Sequence, residues 1–139
     1  MADLVITAAN VVSGSGAAVV HGTAGATITA GQVVYLDSTT SPGTYKLADC
    51  DSATAAVRSP AGIALNAAAS GQPVSVHQSG PITIGATVTG GVAYYLSGNA
   101  GGICPVTDVA SGDYVTIVGL ATSASVLSVK FHESGFALA

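Results

Sequence analysis

The stretch ATITAGQVVYLDS (Ala26–Ser38) returns as ATVTGGVAYYLSG (Ala86–Gly98), 60 residues further along the chain. Six positions are identical (Ala, Thr, Thr, Gly, Tyr and Leu), and Ile28 stands opposite Val88. Two more matches follow in the same order. GIALN at Gly62 aligns with GLATS at Gly119, and VSVHQSG at Val74 aligns with VKFHESG at Val129. The spacing between copies shrinks in two steps, and both fall between the matched segments, where insertions are tolerated. An ordered succession of this kind is the trace of a duplicated unit, over about 26–80 and 86–135, with 1–25 as N-terminal strands or arm.

The matched segments are short, rich in Val, Ile, Thr and Tyr, and separated by Gly-containing turns such as SGSG, SPG, SGQP, TGG and GNAGG. Short β-branched runs at this spacing read as an all-β sandwich or barrel. The expectation is one all-β domain over 1–139, a β-sandwich or jelly-roll-like fold built from two related β units, with little or no helix. Strands are expected over Leu4–Thr7, Ala17–His21, Gln32–Leu36, Tyr45–Leu47, Gly62–Leu65 and Pro73–Gln78. Further strands are expected over Ile82–Ile84, Val92–Leu96, Tyr114–Ala121 and Val126–His132. Asp51 is placed to cap one helical turn across SATAAV before Pro60 ends it.

Alternate residues of a strand share a face. Val74 and Val76 then point to the core with Ser75 and His77 outward, and Leu127, Val129 and Phe131 point in with Ser128, Lys130 and His132 outward. On this reading VHQSG and FHESG are equivalent strand ends. Tyr35 and Tyr95, matched in the repeat, are the core candidates, which leaves Tyr94 exposed as an interface anchor.

Hydrophobic residues make up 49% of the chain and charged residues only 7%. No apolar run approaches the roughly 20 residues of a spanning helix, so no membrane role is expected. The start, MADLVITAAN, carries an acid where an export signal needs positive charge, which points to synthesis in a cytoplasm. Lys46, Arg58 and Lys130 are the only Lys or Arg residues and the net charge is −4. Nucleic-acid binding depends on neutralising phosphates with such residues, so no direct nucleic-acid partner is expected. From Ser59 to Thr107 there is no Asp, Glu, Lys or Arg. Either another subunit or a partner covers part of that surface, or Ser, Thr, Gln and Asn keep it hydrated.

Catalytic chemistry finds little footing. His77 and Ser79 stand side by side about 6–7 Å apart along a strand, Glu133 lies on the opposite face from His132, and there is no GxSxG elbow. His21, His77 and His132 could share a metal only if three strands brought them together. Asp49 and Asp51 fit a turn and cap better than a cation site. SGSG at Ser13 leads into a strand, not into the helix of a phosphate loop. No enzyme activity, metal or cofactor is expected. Cys50 and Cys104 read as reduced, buried small side chains, with a disulfide left open.

GIALNAAASGQPVSV (Gly62–Val76), followed by SGPITIG and VAYYLSGNAGGI, resembles the small capsid decoration, or cement, proteins of tailed bacteriophages. The resemblance covers roughly Ala26 to Gly102, with a looser match through Val126. It implies an all-β protein on the outer surface of a phage head, a homodimer or homotrimer that bridges subunits of the major capsid protein. Contacts would then come from free ends: Leu4, Val5 and Ile6 adding a strand to a neighbour, and Phe136 and Leu138 in apolar alternation. Both ends could equally pack on their own domain. A phage tail or fibre component is the nearest rival reading. A carbohydrate-binding β module is a second, disfavoured by the absence of Trp.

Overall fold

The computed structural model describes residues 3–39 and 43–138. The strands are β1 (Val11–Ser13), β2 (Ala18–Thr23), β3 (Val33–Asp37), β4 (Thr44–Leu47) and β5 (Gly62–Ala64). They continue as β6 (Pro73–Ile84), β7 (Ala93–Leu96), β8 (Ile103–Pro105), β9 (Tyr114–Ala121) and β10 (Val126–Ala137). Among the described residues the helical content is three short 3-10 turns, Ala8–Asn10, Ala55–Arg58 and Val106–Asp108. The protein is all-β and sandwich-like: one curled antiparallel sheet whose two halves, each a sheet in its own right, share one strand.

Strand order along that sheet is β4-β3-β5-β6-β10-β9-β7-β8, with β1 and β2 also paired to β6. The order reads alike from both ends inward: a hairpin, then the strand that follows it, then a long strand. The two long strands, β6 and β10, meet antiparallel in the middle. Turns in the two halves also correspond. Gln32 N–H donates to Thr29 C=O and Val92 N–H to Thr89 C=O. Gly31 and Gly91 sit in those turns at φ 93° and 86°, a region that disfavours any residue with a Cβ.

The decisive element is β6, which serves two sheets. Its first half lies between β2 and β5, so that Val76 pairs with both Val20 and Ala64. Its second half lies between β1 and β10, and Ile82 pairs with both Ser13 and Leu127. The change of partners coincides with a register shift, where Ala18 faces Ser79 but Val19 faces His77. An extra residue of this kind is a β-bulge, the device by which strands turn the corner between packed sheets. Sequence alone suggests a break in this strand at Ser79–Pro81. The strand is continuous, and Pro81, which has no N–H to give a ladder, stands just past the corner.

Two apolar clusters fill the fold. The larger gathers Val33, Ile63, Ile82, Ile84, Leu96, Ile103 and Leu127 from both halves. The smaller holds Ile28, Val34, Tyr45, Ala64, Val74 and Val76. Adjacent residues therefore serve different clusters: Val33 and Val34 on β3, Ile63 and Ala64 on β5. These strands are buried on both faces, so face alternation alone could not locate the core. Full burial of each such Val, Leu or Ile contributes about 1.5–3 kcal/mol.

Three further expectations are corrected. Residues 4–7 are not a strand; Leu4 N–H donates to Ile103 C=O and Thr7 N–H to Gly85 C=O, and the segment crosses the core as a strap. The helical turn lies at Ala55–Arg58 and is led by Thr54 without a side-chain cap. Asp51 is instead held by its own N–H donating to Asp49 Oδ1 at 2.9 Å. Strands β1 and β8, three residues each, were not expected; unlike the equally short β5, neither falls in a segment matched in the repeat.

Candidate interaction surface

The C-terminal strand β10 sets the geometry of this surface. Over Leu127–Val129 it is paired on both edges, with β6 and β9. Beyond that point β6 has turned into the other sheet, and Lys130–Ala137 pairs with β9 alone. The end is tied down by two backbone bonds, Leu138 N–H to Asp113 C=O and Gly112 N–H to Leu138 C=O. One face of this ribbon rests on the 3-10 turn before β5. The Arg58 guanidinium lies 3.6 Å from the centre of the Tyr114 ring, a cation–π contact. Ser59 Oγ–H donates to the Glu133 carboxylate at 2.7 Å.

On the ribbon's exposed side Phe136 is 79% accessible and Leu138 40%. Register shifts between Val129 and His132, and between Glu133 and Ala137, distort the free edge. Bulged edges are poor templates for another strand. What this end offers is a side chain, the Phe136 ring, more than a backbone ladder.

The N-terminal residues divide. Leu4 and Ile6 pack against the larger cluster, and Asp3 clamps the strap by accepting from Ser97 Oγ–H at 2.6 Å and from Asn99 Nδ2–H at 3.1 Å. Of Leu4, Val5 and Ile6, Val5 alone points out, 86% exposed. It lines a groove of about 620 Å³ together with Val12, Thr83, Gly85 and Ala86. No charged side chain lines that groove.

Tyr94 is corrected: it is buried at 6% exposure in the larger cluster, while Tyr35 and Tyr95 are half-buried. Burial along β7 alternates, with Tyr94 and Leu96 inward; the repeat match between Tyr35 and Tyr95, not alternation, put the wrong face in the core. The Tyr94 hydroxyl accepts Thr89 N–H at 3.0 Å. Tyr94→Phe removes that acceptor, and because Thr89 is exposed its N–H can turn to water. The expected loss is about 0.5–1 kcal/mol, measurable by denaturant unfolding.

The two histidine motifs are not equivalent. Ile63, the residue after Gly62, pairs with His77, whereas Leu120, the residue after Gly119, pairs with Ser128 and His132 pairs with Ile117. The β9–β10 turn is shorter than the β5–β6 connection, which displaces the matched sequence along the strand. His132 is exposed as expected, but His77 is fully buried. His77 Nε2–H donates to Gly80 C=O at 2.9 Å and its Nδ1 contacts Ser13 Oγ at 2.7 Å. Burial pushes its pKa below the usual imidazole value, against the opposing pull of the Gly80 carbonyl. His21, exposed on β2, contacts Ser75 Oγ at 2.9 Å.

Cys50 and Cys104 are buried free thiols, both pushed up to about 12, chiefly by burial and then by neighbouring carboxylates. Such thiols are poor nucleophiles at neutral pH. Asp49 and Asp51 share a hydrogen bond, which raises the Asp51 pKa. Sequence reasoning missed Asp108, both of whose carboxylate oxygens are buried without a hydrogen-bond partner among the described residues; we have no physical account of it. Among the described residues no group of three or more His, Cys, Asp or Glu is arranged to hold a metal ion. Among the same residues no helix is long and apolar enough to cross a membrane.

No family model matches this chain, and no curated protein matches it.

Proposed function

We propose that this protein is a virion structural component, a decoration or cement protein of a phage head. On this reading it binds the outer capsid surface as a homodimer or homotrimer and bridges neighbouring subunits of the major capsid protein. It is made in the host cytoplasm and resides on the virion. The observation that carries the reading is Phe136, an aromatic ring 79% exposed on a β-ribbon that is anchored by Arg58, Ser59 and Asp113. An aromatic held out on a rigid support, at little entropic cost, is the usual anchor of a protein interface. The uncharged groove beside Val5, lined by Val12 as well as by Thr7, Asn10, Thr83, Thr87 and Ser125, supplies a second contact at the other end of the chain. The resemblance of roughly Ala26–Gly102 to capsid decoration proteins supports the same reading, and the two related halves fit a compact module better than an extended fibre. Modest interfaces suffice, because placement in many copies around a shell multiplies them.

Purified protein mixed with expanded, undecorated capsids and imaged by electron cryomicroscopy is expected to occupy symmetry-related sites. Empty sites at saturating protein overturn the reading. Phe136→Ser is expected to leave thermal stability unchanged and weaken occupancy on the order of tenfold or more, the scale of an interface anchor. Solution mass tests self-association, and a clean monomer at high concentration counts against the dimer or trimer.

A further inference from the structure

His77 sits where β6 exchanges one pair of neighbours for another. On one side of the corner lie β2 and β5; on the other lie β1 and β10. A carbonyl oxygen only accepts, so the contact with Gly80 fixes the ring proton on Nε2. Nδ1 is then a lone pair that accepts the Ser13 hydroxyl proton. Both nitrogens of the neutral ring are used, in one tautomer only.

Ser13 is the last residue of β1, and β1 is a three-residue edge strand. After it Gly14 N–H donates to Pro81 C=O at 2.7 Å, and strand pairing resumes only at Ala18. Val12 in its middle is 57% exposed. Val11 alone of the three is buried, in the larger cluster, and so short a ladder with a single buried side chain places the segment toward the low end of local stability. Among the described residues, the Ser13–His77 hydrogen bond is its one side-chain hydrogen bond to the corner.

We propose that His77 is an acid-sensitive latch: in its neutral form it holds β1 on the corner of β6, and protonation releases β1 while both sheets stay closed. The imidazolium would have no compensating charge. Strands β1 and β5 carry no titratable residue, and β6 carries none besides His77. Strand β2 brings only His21, which is exposed and engaged with Ser75. Strand β10 brings Lys130, His132 and Glu133, all exposed, and Glu133 is engaged with Ser59. Burial thus favours the neutral ring. The folded state then binds the proton less readily than the unfolded chain, so stability is full above the ordinary imidazole range and falls as pH drops through it.

Hydrogen exchange of the full chain at pH 7.5 and pH 5.0, corrected for intrinsic rates, tests the latch. The Gly14 amide is expected to lose at least tenfold protection at pH 5.0, while the Ala48 amide, bonded to Val33 C=O, keeps its own. In His77→Gln, which cannot titrate, the pH dependence of the Gly14 amide should vanish; in His132→Gln it should remain. Unchanged Gly14 protection, equal loss at Gly14 and Ala48, or persistence of the effect in His77→Gln each overturns the proposal. Should His77→Gln fail to fold, nitrogen-15 shifts of the wild-type imidazole decide. A proton on Nδ1 at neutral pH, or titration at or above the ordinary imidazole value, also overturns it.

Discussion

Gly62→Ala and Gly119→Ala are each expected to lower the melting temperature by about 10 °C or more, measured by differential scanning calorimetry. These glycines open the matched GIAL and GLAT segments, and the reason for both is the same. A Cβ on Gly62 would lie 2.5 Å from the carbonyl oxygen of His77, and one on Gly119 would lie 2.5 Å from that of Ser128. The obstacle is backbone of the next strand in the ladder, which no rotamer change can move. Either the paired strands separate or the hydrogen bonds between them break. The cost belongs at or beyond the upper end of the roughly 1–3 kcal/mol typical of overpacking. Gly90→Ala is the control. Its nearest atoms would be at 3.8 Å, with φ outside the left-handed region, and the expected change is within about 0.5 kcal/mol.

Leu96→Ala is expected to cost about 2–5 kcal/mol in chemical denaturation, and Leu36→Ala about 0.5 kcal/mol or less. The two leucines are matched in the repeat, yet Leu96 is fully buried in the larger cluster and Leu36 is 46% exposed. Deleting the Leu96 side chain leaves a cavity among strands drawn from both halves, which close packing cannot refill. At Leu36 the same deletion removes surface already in contact with water. Equal losses at the two sites would mean that the halves have equivalent environments.

That contrast marks how far the sequence could be read. Tyr114–Ala121 was legible to its last residue, since a Gly-Asp turn precedes it and a Thr/Ser turn follows. The pairing of the long strands rests on local runs of Val, Ile and Thr, and those runs were visible. What alternation could not supply was the side of burial where both faces of a strand are covered. Val76 enters the smaller cluster while the adjacent His77 is buried on the other face, so a polar residue was placed outside. Within the candidate surface, the apolar alternation of Phe136 and Leu138 was visible in sequence, but their exposure was not: it follows from β10 pairing with β9 alone beyond Val129. Leu4 and Ile6 look the same in sequence. Their inward packing depends on Ser97 and Asn99, distant residues that hold Asp3.

The sharing of β6 between the sheets has a mechanical side. In most sandwiches the layers meet only through side chains, and tension on one must cross a greasy boundary to reach the other. Here one unbroken backbone, Pro73 to Ile84, is hydrogen-bonded into both layers. Tension on the β1–β10 layer reaches the β2–β5 layer through covalent bonds, and shearing the layers apart requires unzipping a ladder. A module pulled from its ends would carry that load along its own spine.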